Sequence, residues 1–240
     1  MKESLEKSRR LAFIGEMAAG LAHEIRNPLA SISGSIQMLK GDLALNDVNT
    51  RLMQIILRGK DQLESFLKDF LLMARPAPGV REVLDIKETI RDVIECLRCI
   101  ADWHESLEVT MILADHPIFV QVNKTEIRQV IWNLILNAVQ AMPDRGILRV
   151  EARHAEIGGR EGAEIKIGDT GCGIRDQDLQ RIFEPFYTTR DTGTGLGLAV
   201  VNRIVEAYQG KIHMHSELGK GTVCTLWIPA QEATVAVEAS

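Results

Sequence analysis

Residues 123–142 read "NKTEIRQVIWNLILNAVQAM", and this stretch decides what the larger part of the chain can be. Asn123 followed three residues later by Glu126 is a capping-box signature, so the spacing predicts a helix starting near Lys124. Ile127, Val130, Ile131, Leu134, Ile135 and Val139 recur at helical spacing and give it a wide apolar face. Asn133 and Asn137 lie one turn apart among these neighbours. A buried amide without partners is costly, so the pair points to something polar held there; helix-packing asparagines are the plainer alternative. An amide oxygen suits Mg²⁺, a hard cation that takes oxygen ligands and usually keeps several waters.

Two glycine-rich segments follow. In "EIKIGDTGCGIRDQDLQRIFEPF", residues 164–186, a β-run ends in Asp169, with Gly171 and Gly173 just beyond. A carboxylate at a strand end can accept from an exocyclic amine, and glycines let the backbone approach a ligand closely. Such an Asp-Gly pattern is common in turns and is weak alone. In "TGTGLGLAVVNRIVEAY", residues 192–208, Gly193, Gly195 and Gly197 stand directly before an amphipathic helix. Free amides and the positive helix end then face an anion, as in a phosphate cradle. A flexible linker is the alternative, and it accounts poorly for the abrupt switch into helix. Neither segment carries the GK[ST] of a Walker loop or the βαβ setting of a dinucleotide fingerprint.

The rest of the chain differs in character. "ARPAPG", residues 74–79, ends any helix and reads as a linker. Beyond it, helical stretches alternate with β-branched runs such as "PIFVQV", "ILRVEARH", "EIKIGD" and "CTLWIP". Before it the pattern is helical. Leu11, Ile14, Ala18, Leu21, Ile25, Pro28, Ile32, Ser35 and Leu39 alternate three and four apart, an a/d seam. Leu52, Ile56, Gly59, Leu63, Phe66, Phe70 and Met73 repeat the alternation. One antiparallel hairpin has little core, so two copies are expected to pair as a four-helix bundle, a homodimer. The predicted organisation is an all-α hairpin over 1–75, a linker at 76–79, an α/β sandwich over 80–230 and a frayed tail at 231–240.

Composition narrows the function classes. The net charge of −5 argues against a broad nucleic-acid face. No apolar run approaches the ~18 residues of a membrane span, and no signal peptide is visible. Four cysteines without framework spacing fit a reducing compartment. The chain is therefore expected to be cytoplasmic, which leaves room for a membrane anchor on a longer parent. Cys96 and Cys99, near His104, read as helix-packing residues rather than metal ligands, since no second pair exists.

Within the first hairpin, "LAHEIRNPLASI", residues 21–32, puts a proline in a helix, at a cost of about 3 kcal/mol. The heptad register sets His23 on the face away from the seam, beside Glu24 and one turn from Asn27. A solvated surface histidine and a docking-accessible reactive histidine are balanced on these features alone. Pro28 removes the helical partner of the Glu24 carbonyl and lets the helix bend, which suits a partner that must reach His23.

Taken together, "HEIRNPL" and the downstream nucleotide motifs resemble the transmitter core of a sensor histidine kinase. The ATP-binding part is similar to the Bergerat fold shared by gyrase, heat-shock chaperones, mismatch-repair ATPases and these kinases. The flavour is nearest the nitrogen- and pilus-regulation type, and the likeness covers roughly residues 5–230. It implies that His23 is the phosphoacceptor, that Glu24 takes its proton, and that Asn27 positions water for a phosphatase reaction. It implies that Asn137 binds Mg²⁺ with Asn133 one turn earlier, and that Asp169 reads adenine beside Gly171 and Gly173. Phe183 and Phe186 match the base of a mobile ATP lid over about 175–195. Gly193, Gly195 and Gly197 match the second glycine box, and Thr222 matches a further nucleotide-site threonine. ATP and Mg²⁺ are the implied ligands. The implied partners are a response-regulator receiver domain, a second copy of the chain and an upstream sensor domain absent from it. One departure stands out: many relatives carry lysine where this chain has Gln140, and Arg190 is the candidate replacement cation. The rivals are a conformational ATPase of the same nucleotide fold and a non-catalytic dimeric docking module. The first would place a carboxylate where Asn133 stands, and the second would lack motif residues.

Overall fold

The computed structural model describes residues 25, 28–36, 38–39, 47–74, 79–99, 103–190 and 193–230. The chain divides into two compact units, Met1–Pro76 and Ala77–Ser240. In the first unit, residues 28–36 and 38–39 are helical, and α1 runs from Asp47 to Ala74. The heptad expectation needs refining here. Leu29 and Ile36 are buried, whereas Ile25, Ile32 and Leu39 of the expected seam are exposed. On α1, Leu67 and Met73 are buried, while Leu52, Ile56 and Leu63 are exposed. Helices in contact bury a narrow stripe each, and in this chain the adjoining apolar line stays open. His23, Glu24 and Asn27 lie outside the described residues, as does the stretch just before Pro28 where the bend is expected.

In the second unit the elements are β1 (Glu82–Asp85), α2 (Ile86–Leu97), β2 (Leu107–Leu113), β3 (Phe119–Val122), α3 (Lys124–Gln140), β4 (Gly146–Ile157), β5 (Arg160–Asp169), α4 (Asp176–Leu179), α5 (Gly197–Ala207), β6 (Lys211–Glu217) and β7 (Gly221–Pro229). The main sheet has the order β2-β4-β5-β7-β6, and β1 pairs with β3 separately. Only β2 and β4 are parallel in the main sheet, because β3 and α3 intervene as the crossover that parallel strands require. Leu148, Val150, Ala163, Ile165, Leu226 and Ile228 face inward and are buried. The other face carries ion pairs such as Arg153–Glu164 and Lys166–Glu164. That alternation is the mark of a sheet with one solvated face. α3 packs between α2 and α5, with Ile127, Val130, Ile131 and Ile135 fully buried.

α3 starts as expected but is finished differently. The Asn123 Oδ1 accepts from Thr125 N and Glu126 N at 3.0 and 3.1 Å, a proper N-cap. Glu126 does not reach back to the Asn123 amide. Instead, Tyr208 relays: Asn123 N donates to Tyr208 Oη at 2.9 Å, and that hydroxyl donates to Glu126 Oε2 at 2.6 Å. The other carboxylate oxygen, Oε1, accepts from Gly79 N at 2.9 Å. Burial and the Glu126 bond push the Tyr208 phenol up to about 12. Asn123 Nδ2 also donates to Val80 O, and Arg81 lies over the Tyr208 ring. The chain entering this unit is thus fastened to the start of α3 and the end of α5 at one point.

The cysteine expectation is overturned. Cys96 and Cys99 are both exposed, because Ile86, Ile90, Val93, Ile94 and Leu97 already occupy the buried face of α2. His104 is used structurally, its Nε2 lying 2.8 Å from Met142 O.

Candidate nucleotide site

The C-terminal half of α3 forms the floor on which the predicted residues meet. Asn133 is buried and its amide is bonded at both ends. Its Oδ1 accepts from Gln129 Nε2 at 3.0 Å, and its Nδ2 donates to Gly197 O at 3.1 Å. It therefore ties α3 to the first turn of α5. Gln129, missed in the sequence reading, was readable as a polar residue one turn before Asn133 on an apolar face. One turn later, Asn137 Oδ1 accepts from Arg190 Nη1 at 3.2 Å and its carbonyl from Arg190 Nη2 at 3.0 Å. Gln140 Oε1 accepts from Arg190 Nη1 at 2.8 Å. Arg190, the candidate replacement cation, thus bridges Asn137 and Gln140.

Asp169 ends β5 opposite Thr222 of β7. Its Oδ1 accepts from Gly171 N at 2.8 Å and Thr222 N at 3.3 Å. Among the described residues Oδ2 accepts no hydrogen bond, which leaves it for an incoming donor. Burial holds this carboxyl above the usual carboxylate range, while the two backbone amides and the Arg190 charge pull it down. Thr222 acts on the aspartate through its backbone; its Oγ1 lies 2.9 Å from Ser216 Oγ.

Ser216 was not legible as a site residue, since nothing in "KIHMHSE" marks it. Its Oγ accepts from Ile174 N at 2.8 Å and lies 2.9 Å from Gly221 O. It thereby holds the loop after Asp169 against the β6–β7 turn. Ser216→Ala leaves the Ile174 amide without its acceptor, an expected loss of about 1–3 kcal/mol. Thermal unfolding of residues 77–240 checks this, and an unchanged midpoint would count against the role.

The glycines serve the protein's own packing. A Cβ on Gly171 would meet the Ala141 carbonyl at the end of α3. Gly173, at φ +68°, would press one into the Glu217 carbonyl, a conformation that favours glycine in any case. The absence of a Cβ at these two positions lets the loop lie flat on the end of α3 and on the β6–β7 turn. Cys172 between them is exposed.

The segment expected to form a lid begins at α4, where Asp178 accepts from Tyr187 Oη at 2.6 Å and Arg175 Nε at 2.7 Å. The tyrosine and arginine bonds hold the Asp178 carboxyl below the usual range. Phe183 is half-buried, whereas Phe186 is exposed and at φ 66°. The Phe186 amide donates to Gly195 O at 2.9 Å, which pins the segment around Phe186 to the glycine-rich stretch before α5. Gly193 N donates to Arg190 O at 3.2 Å, so that amide is already committed. Among the described residues no side chain caps α5, which leaves its first turn open to an anion.

Comparison with known proteins identifies both domains. Residues 122–232 match the family described as histidine kinase-, DNA gyrase B- and HSP90-like ATPase. Residues 13–79 match the His Kinase A (phospho-acceptor) domain. The chain belongs to the histidine kinases. This kinase core is 36% identical over 238 residues to sporulation kinase E of Bacillus subtilis (strain 168), covering 97% of the chain and 31% of that protein. It is 33% identical over 229 residues to sensor histidine kinase ZraS of Escherichia coli (strain K12), covering 95% and 48%. The kinase core therefore spans less than half the length of either relative. Full-length ShkA in complex with AMPPNP superposes with a TM-score of 0.74 at 28% identity, covering 90% of this chain and 46% of that one. Histidine kinase ThkA in complex with response regulator protein TrrA gives a TM-score of 0.64 at 27% identity, covering 95% and 65%. Among the described residues no helix is long and apolar enough to cross a membrane.

Proposed function

We propose that this chain transfers the γ-phosphoryl group of ATP to His23, and from there to an aspartate of a response-regulator receiver domain. The support comes from position 133. A hydrolytic ATPase of this fold class would need a carboxylate there to activate water. Here an amide stands instead, bonded at both ends to Gln129 and Gly197. It cannot take a proton, so the γ-phosphate is left for another nucleophile.

The remaining roles follow from chemistry. Asp169 Oδ2 accepts from the adenine amine, with Gly171 and Thr222 fixing the other oxygen. The open first turn of α5 and the glycine box at Gly193, Gly195 and Gly197 face the phosphates. Arg190 offers a planar fork suited to phosphate oxygens. The donor set fits Mg²⁺: one amide oxygen on Asn137 suits a cation held chiefly by phosphates and water. When bound there, Mg²⁺ supplies charge neutralisation to the phosphates. Phe183 and Phe186 sit at the base of the lid that orders over the nucleotide.

His23 attacks as neutral imidazole while Glu24 takes the ring proton. Asn27 positions water for the reverse, phosphatase reaction on the phosphorylated regulator. The open apolar line at Leu52, Ile56 and Leu63 suits pairing of two copies. The ThkA complex supports the class of partner. An upstream sensor on a longer parent, and a cytoplasmic location for this portion, complete the reading.

Incubation with γ-labelled ATP and Mg²⁺ tests the proposal. Acid-labile, base-stable label on the protein is expected. Steady phosphate release without label would favour a conformational ATPase, and neither signal would favour a docking module.

A further inference from the structure

We infer that Gln140 is a positioning residue, whose amide oxygen holds the lid arginine over Asn137 as the cation for the phosphate end of the nucleotide. The inference rests on the nucleotide-site reading above and names a residue that reading leaves without a role.

Three bonds carry it. Arg190 donates to Gln140 Oε1 at 2.8 Å, to the Asn137 carbonyl at 3.0 Å and to Asn137 Oδ1 at 3.2 Å. The shortest goes to Gln140. The turn that presents the arginine is itself braced: Arg190 N donates to Thr188 Oγ1 at 3.1 Å, and Gly193 N donates to Arg190 O. Arg190 therefore reaches α3 from a shaped turn. The Asn137 oxygen is also the one suited to a divalent cation, and a guanidinium cannot stay on an oxygen that a dication takes, because the charges repel. Nucleotide binding must then break the weakest of the three contacts. Gln140 and the Asn137 carbonyl keep the guanidinium within a turn of the site, so one cation is not exchanged for the other. A lysine at position 140 would make this relay unnecessary, and a glutamine makes it possible.

Hydrogen exchange of the lid amides in the nucleotide-free protein reads the contact directly. Gln140→Ala and Arg190→Gln are each expected to speed exchange over residues 187–195 by roughly threefold to tenfold. Activity gives the second readout. Arg190→Gln is expected to raise the KM for ATP about tenfold or more, with a smaller effect on kcat. Adding Gln140→Lys to Arg190→Gln should return the KM to within a few-fold, since the ammonium restores charge at the same place. Unchanged lid exchange in both single variants overturns the inference, and so does a double variant no better than Arg190→Gln. If the parent protein takes no label from ATP, the kinase reading fails instead, while the exchange experiment, done without nucleotide, still decides the role of Gln140.

Discussion

His23→Ala is expected to abolish acid-labile, base-stable labelling from γ-labelled ATP while leaving nucleotide affinity unchanged. The affinity should survive because every residue assigned to the nucleotide, from Asn133 to Thr222, lies in the second unit. The labelling should vanish because the phosphorus needs a nucleophile, and alanine offers none. Imidazole has a reference pKa of about 6.5, so most of it is neutral and nucleophilic just above pH 7. Protonation of the ring removes the attacking lone pair, so labelling should fall under acid conditions. Glu24→Gln should slow labelling by about 10²- to 10⁴-fold without removing it, the usual range for a lost proton acceptor. Autoradiography after acid and base treatment, beside a fluorescent-nucleotide titration, separates these outcomes. Label persisting in His23→Ala would falsify the assignment of the phosphoacceptor.

Asp169→Asn should weaken ATP binding by about 100-fold or more without lowering the stability of the unit. In the parent, Oδ1 is committed to Gly171 N and Thr222 N, so only Oδ2 faces an incoming donor. Asparagine keeps Oδ1 on those amides and turns its NH₂ toward the adenine amine, setting donor against donor. Stability moves the other way. Burial raises the folded pKa of Asp169 above its ordinary value, so folding favours the protonated form. Its stabilising contribution is complete below the ordinary carboxylate pKa and is lost as pH rises through the raised one. At neutral pH the charge is a net cost, which asparagine removes. Calorimetric titration with ATP and thermal unfolding at acid and neutral pH check both halves. Binding retained within a few-fold, or a large loss of stability at neutral pH, would refute the assignment.

Much of the nucleotide unit is written in local sequence. β3, β4, β5 and β7 coincide with β-branched runs, and Asn123 announces α3. β1 and β2 are harder to read because Val83, Met111 and Ile112 are exposed, so their apolar residues do not mark a buried face. The site's residue types were legible, whereas its internal bonding was not. Asn133 carries a polar signal that any ligand or protein partner could explain, and only the fold brings Gln129 and Gly197 to it. Gly171 and Gly173 likewise signal close approach without naming what approaches, and only the fold brings the Ala141 and Glu217 carbonyls against them. Ser216 and Tyr208 act across 42 and 82 positions, on Ile174 and Glu126, a separation at which sequence gives no spacing to read.

The knot of Glu126, Asn123 and Tyr208 has a mechanical consequence. α3 runs from that knot to Asn137, and α5 runs back to it from Gly197, each across eleven residues or about 16 Å at the helical rise. The two helices are thus a pair of equal arms sharing one pivot, and the chain arriving at Gly79 is fixed to the pivot itself. A twist of about 5° there carries the tips of such arms through roughly 1.4 Å, a misplacement of the size that can cost a reaction about 10²-fold. Geometry alone makes the entry of the chain a fine adjustment on the far end of the nucleotide site.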